Sequence, residues 1–244
     1  MTAPAAGRRW ALVHGFGTSR GIWRRVLEDL PGGALTPELP GFGDNADAGR
    51  PGQTTADMAE SLALTLRAAG EGPYRLAGHS MGGKVVVLLA ARYPDLVDEL
   101  LLIAPSPPTP EPMSDEDRAR LRAAHGDAAA LTRQYHDVIR APVPQEDFDG
   151  LVRDGLRADA EAWVAWPDVG SLEDIRSELG GLRAPVTVLY SEDDPAITPD
   201  TIRRKVLGAL PQARAVALRG SGHFIPLERP QDVLALLTAQ EAQA

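Results

Sequence analysis

The chain has 244 residues, 43% of them hydrophobic and 24% charged, the balance of a folded domain rather than of a disordered chain. It contains no cysteine, which excludes disulfides, thiolate nucleophiles and cysteine-based zinc sites. Its formal net charge of −9 argues against nucleic-acid binding, whose usual footprint is a basic face.

Short apolar runs closed by turn residues alternate with longer helical stretches along the chain. Residues 1–10 lack the apolar core of a secretory signal, so the expectation is a cytoplasmic protein. Residues 10–13 read as a first buried strand that ends at His14-Gly15. A helix is predicted over 54–69, with threonines to cap it and Gly70 to end it. A strand over 74–77 ends at Gly78, and a helix over 82–92 stops before Tyr93-Pro94. That helix holds the longest apolar run, 85–91, far short of the roughly 18 residues of a membrane span.

A strand over 100–104 leads into Pro105, Pro107, Pro108, Pro110 and Pro112. The stretch from there to about 171 shows charged helical pieces and no buried strand. Helices are predicted over 114–125 and 127–140, with Ser114 and Asp127 as caps. Strands over 186–190 and 215–218 and helices over 199–210 and 231–239 complete the pattern. All five strands read as buried. The alternation predicts an α/β fold, a mostly parallel sheet flanked by helices. The helical stretch interrupts it and is read as a lid over the strand ends.

Gly78-His79-Ser80-Met81-Gly82 fits G-x-S-x-G between a strand and a helix. A sharp turn there exposes the serine hydroxyl as a nucleophile. Met81 and, after the first strand, Phe16 are the candidate oxyanion donors through their backbone N–H groups. Among five histidines, only His223 lies on a loop after a late strand. His14 is read as ordering its own loop, and His79 as leaving the turn in another direction. His125 and His136 are read as solvated. After the strand over 186–190 comes Ser191-Glu192-Asp193-Asp194-Pro195. A carboxylate there can hold His223 in the right tautomer. Asp194 is the first choice and Asp193 the second. A cation site is disfavoured, because three adjacent carboxylates cannot converge on one ion. The order Ser80, Asp194, His223 is the serine–acid–histidine order of one known fold.

On these residues the chain resembles the α/β-hydrolase superfamily over nearly its whole length, and within it the small serine esterases. His14-Gly15-Phe16-Gly17 resembles the oxyanion turn, and Glu38-Leu39-Pro40-Gly41-Phe42-Gly43 a neighbouring turn with Glu38 in place of aspartate. Gly222 to Pro230 resembles the histidine loop and its following helix, and Ser191 takes a usual glycine position in the acid loop. The resemblance implies a core of residues 1–106 and 172–244 and a helical cap of 107–171. It implies a serine hydrolase that cleaves a small-molecule ester with no metal or organic cofactor. Carbon–carbon bond hydrolases, lyases and ligand-sensing proteins share the same residues. Dehalogenases and epoxide hydrolases of this fold use an aspartate where Ser80 stands. Met113, Phe148, Trp163 and Trp166 are the large apolar residues of the cap; they line an acyl pocket or pack the cap onto the core.

Overall fold

The computed structural model describes residues 9–70 and 72–239. Of the stretch 1–10 read above for a targeting signal, only the last two residues lie within this range. Five strands pair in parallel in the order β1 (Trp10–Val13), β2 (Tyr74–His79), β3 (Val97–Ile103), β4 (Val186–Ser191) and β5 (Arg214–Leu218). A parallel sheet needs both faces covered, and every residue of β1, β2 and β4 is buried. β5 departs from the expected buried strand: its residues are exposed or half-buried. Among the described residues it lies at the sheet edge, paired with β4 alone. The apolar letters of 215–218 carry no information about that position.

Helices flank the sheet. They are α1 (Arg24–Asp29), α2 (Thr55–Ala69), α3 (Met81–Arg92), α4 (Asp115–Ala123), α5 (Ala128–Val138), α6 (Gln145–Arg157), α7 (Ala160–Asp168), α8 (Pro199–Thr201), α9 (Ile225–Glu228) and α10 (Pro230–Thr238). Thr54 and Asp57 form a reciprocal capping box at the start of α2, and Gly70 ends it at φ 135°. From Met81 to Ala91 every residue of α3 is buried, because the helix packs against the sheet and α2 at once. The helix expected over 199–210 is shorter: α8 passes into a π-helical turn at Ile202–Val206. Among the described residues no helix is long and apolar enough to cross a membrane.

Helices α4 to α7 all fall between β3 and β4. Ser114 and Asp127 cap α4 and α5 as expected, and Asp159 caps α7. The two stems of this insertion are tied at their base. Glu111 N–H donates to Ser171 O and Ile175 N–H to Pro108 O, each at 2.8 Å. The buried Arg118 guanidinium adds bonds to Pro167 O and Ser171 Oγ. Farther out, Arg24 and Arg25 on α1 hold Asp147 of α6, and Arg24 also holds Glu146. Leu131, Tyr135, Phe148 and Trp163 extend the hydrophobic core of the sheet into the insertion.

Candidate active site

Ser80 stands between the last residue of β2 and the first of α3, at φ 52° and ψ −120°. This backbone conformation costs a non-glycine residue about 1–3 kcal/mol and persists only where its surroundings enforce it. Ser80 N–H donates to Ile103 O at 3.0 Å, and Ser80 O accepts from Gly83 N at 2.9 Å and Ser106 N at 2.9 Å. A side chain at Gly82 would collide with the His14 carbonyl, so the elbow and the turn after β1 touch backbone to backbone.

A hydrogen-bonded chain runs from this serine. His223 Nε2 lies 2.9 Å from Ser80 Oγ, and His223 Nδ1 lies 2.8 Å from Asp194 Oδ2. With Nδ1–H donating to the carboxylate, Nε2 is left to accept the serine proton. Asp194 Oδ1 accepts from Ala196 N at 2.8 Å and Ile197 N at 3.1 Å, which fixes the carboxylate. Burial pulls the His223 pKa down. The charge and hydrogen bond of Asp194, with the charges of Glu111 and Glu228, outweigh it, and the net shift is upward from 6.5. The structure separates the two candidate acids. Asp193 is exposed and accepts Gly220 N–H at 2.7 Å, while Glu192 binds Arg203. The three neighbouring carboxylates diverge.

The turn after β1 abuts the serine: a Cβ on Gly15 would stand 3.0 Å from Ser80 Cβ. Neither Phe16 N–H nor Met81 N–H has an acceptor among the described residues. Such free donors beside a nucleophile can receive a developing oxyanion. His14 orders this turn, as expected: its Nδ1–H donates to Gly15 O at 2.8 Å, and its Nε2 accepts from Leu39 N at 3.0 Å. Burial lowers its pKa. Glu38, in the aspartate's place, accepts from Arg20 N and Asp44 N and so ties the neighbouring turn together.

His79 leaves the turn away from the Ser80 hydroxyl and meets the histidine loop. Its Nε2–H donates to His223 O at 2.8 Å, and the two rings lie 5.0 Å apart. Burial, then the charge of His223, push its pKa down to about 3, so it stays neutral. The partner is a carbonyl 144 positions away, which no local pattern reveals. His125 is half-buried rather than solvated, with Nε2 at 2.8 Å from Ala158 O, whereas His136 is exposed and stacks on Phe148.

Two side chains of the insertion pack on the turn after β1. Trp163 packs on Phe16 at 4.5 Å between ring centres and donates its indole N–H to Leu121 O at 2.7 Å. The Tyr135 hydroxyl donates to Gly17 O at 3.1 Å. Tyr135 was absent from the sequence-based candidates, because a tyrosine on an amphipathic helix carries no signal of its own. Phe148 lies buried against His136, Trp166 packs on Gly170, and Met113 is half-buried just beyond Glu111. Beneath the elbow, Lys84 donates to Gly170 O at 3.0 Å and Glu173 O at 2.7 Å. Its burial lowers its pKa to about 8.

Residues 11–236 match the model of the alpha/beta hydrolase family. The chain belongs to the alpha/beta hydrolase family. An esterase of Mycobacterium tuberculosis is 27% identical over 247 residues, covering 94% of this chain and 81% of its own. A pimeloyl-[acyl-carrier protein] methyl ester esterase of Chromobacterium violaceum is 29% identical over 259 residues, covering 96% and 94%. Among solved structures, a bromoperoxidase from Bacillus anthracis superposes on this alpha/beta hydrolase with a TM-score of 0.85 at 16% identity, covering 98% of this chain and 93% of that one. That last likeness concerns the fold alone.

Proposed function

We propose that this alpha/beta hydrolase is a serine esterase that cleaves carboxylic esters through an acyl-enzyme. The observation that carries this reading is the unbroken chain Asp194 Oδ2–His223–Ser80 Oγ at 2.8 and 2.9 Å. Two further features support it: the free N–H groups of Phe16 and Met81 beside Ser80, and the esterases among its relatives.

His223 Nε2 takes the Ser80 proton as Oγ attacks the ester carbonyl. The tetrahedral oxyanion rests on the Phe16 and Met81 amides. Asp194 stabilises the imidazolium and keeps Nδ1 protonated. The imidazolium then gives its proton to the leaving alkoxide, and the alcohol departs. A water deprotonated by His223 attacks the acyl-enzyme and releases the acid. All chemistry on this route comes from the chain's own residues.

The insertion closes over the site as a cap, a reading supported by Tyr135 on Gly17 and Trp163 on Phe16. The apolar side chains of the insertion favour short or medium acyl and aryl esters as substrates. The relatives named for pimeloyl-[acyl-carrier protein] methyl ester favour a second substrate, the methyl ester of a carrier-bound acyl chain.

The test is turnover of short p-nitrophenyl esters and of an acyl methyl ester by the wild type and by Ser80→Ala. Loss of at least about 10³-fold in the variant is expected. Equal turnover in both would remove Ser80 as nucleophile. An organophosphate that labels Ser80 in a protein that turns over no ester would redirect the reading to carbon–carbon cleavage or ligand sensing.

A further inference from the structure

The loop that carries His223 is held by one buried carboxylate that the reaction itself does not use. Glu228 Oε2 accepts from Gly222 N at 2.7 Å, Arg140 N at 2.8 Å and Ala141 N at 2.7 Å, while Oε1 accepts from Phe224 N at 3.0 Å. Glu228 is 7% exposed. Gly222 and Phe224 flank His223 in the chain. Arg140 and Ala141 belong to the connection between α5 and α6 of the insertion. The N–H of His223 itself donates to Val138 O, the last residue of α5, at 2.9 Å. The three consecutive N–H groups of 222 to 224 are therefore held, each by Glu228 or by the Val138 carbonyl, and the His223 carbonyl is held in addition by His79.

We propose that Glu228 is a positioning residue for His223 and that, through it, residues 138–141 of the insertion form part of the framework that holds the histidine. The charged carboxylate gathers four backbone dipoles into one knot, and hydrogen bonds to an ionised acceptor are about twice as strong as neutral ones. With its backbone fixed, the imidazole has only its side-chain torsions free, and Asp194 and Ser80 set those. The insertion thus does more than cover the site. Its α5 end bears on the histidine loop, while Tyr135 of the same helix bears on the Gly17 carbonyl in the oxyanion turn. One helix braces the two halves of the site.

The proposal rests on the esterase reading, and its test distinguishes the two. Glu228→Gln keeps the shape but offers one oxygen and one NH₂, so at least one of the four N–H groups faces a donor. A displacement of the imidazole by about 1 Å can cost about 10²-fold in rate. The expected result is a kcat lowered about 10- to 100-fold with KM changed less than about threefold, the mark of an interaction that matters in the transition state. The titratable groups that face His223 are Asp194, Glu111, Glu228 and His79. Removing the Glu228 charge also moves the acid limb of kcat/KM to lower pH, and the lowered kcat at near-constant KM is the readout that a purely structural role would leave in place. The second variant, Gly222→Ala, keeps Glu228 but drives a Cβ into the Val138 carbonyl. It should lower kcat in the same way, and it decides the matter if Glu228→Gln does not fold. A folded Glu228→Gln enzyme with wild-type kcat would overturn the proposal, as would full kcat in Gly222→Ala. If Ser80→Ala retains wild-type turnover, the esterase reading fails instead.

Discussion

Asp194→Asn separates the roles of the two carboxylate oxygens of Asp194. The introduced amide keeps an oxygen for the Ala196 and Ile197 N–H groups, which are the bonds that hold the loop. Its NH₂ then faces His223 Nδ1, where the carboxylate oxygen stood at 2.8 Å. The ring must accept at Nδ1, so its proton moves to Nε2. In that tautomer Nε2 cannot take the proton of Ser80 Oγ at 2.9 Å. The same tautomer trap costs about 10⁴-fold in kcat where such a triad has been dissected, equivalent to about 5 kcal/mol of barrier. The fold should survive, because no buried group is left without a partner. The charge of Asp194 also raises the His223 pKa, so whatever activity remains should have its acid limb at lower pH. The assay is steady-state ester hydrolysis across pH, with a thermal melt to verify folding. Asp193→Asn is the control: its carboxylate binds only an exposed Gly220 N–H, and activity should stay within about threefold of wild type, since surface changes rarely exceed about 0.5 kcal/mol. A folded Asp194→Asn enzyme with more than about one tenth of wild-type kcat would refute the assignment.

Two further outcomes follow from burial. His79 is held neutral down to about 3, first by desolvation, whereas in the unfolded chain it binds a proton near 6.5. The unfolded state then holds more protons, so stability falls as pH drops below 6.5, by about 1.4 kcal/mol per pH unit for this group. In His79→Gln the slope of unfolding free energy between about pH 5 and about pH 6 should be shallower by that amount, and equal slopes in urea titrations would contradict the buried neutral state. Trp163→Ala removes a fully buried indole and should cost about 3–5 kcal/mol. It should lower kcat as well, because Phe16 loses its packing partner; a loss under about 1 kcal/mol would show that the insertion is not packed as described.

The three residues of the hydrogen-bonded chain were legible because each follows an apolar strand, and parallel strands deliver their C-terminal ends to one edge of the sheet. The choice between Asp193 and Asp194 was narrowed by the sequence and resolved by the turn, which sends one to Gly220 and the other to His223. Roles that depend on distant backbone stayed hidden. His79 donates to a carbonyl on another loop, and Glu228 gathers amides from two separate segments. Neither contact leaves a trace in periodicity or spacing. β5 was misread as buried because its letters match those of the central strands, and edge position is a property of the assembled sheet. Neither the start of α6 nor the end of α7 carries a sequence signal: α6 starts after Pro144 without a side-chain cap, and α7 carries Pro167 inside its last turn.

The ties at the root of the insertion fix its two stems to each other. Glu111 on Ser171 and Ile175 on Pro108 are backbone bonds in a buried setting, and leaving such a group unmet costs about 1–3 kcal/mol. The two stems are therefore stapled to each other where they leave the core. Farther out, only the Arg24–Glu146 pair faces water and weakens in salt, while Asp147 is buried between Arg24 and Arg25 and holds α6 to α1 more firmly. Residues 138–141 are bonded to the histidine loop and to Glu228 as well, so the insertion is sewn to the core along two separate seams.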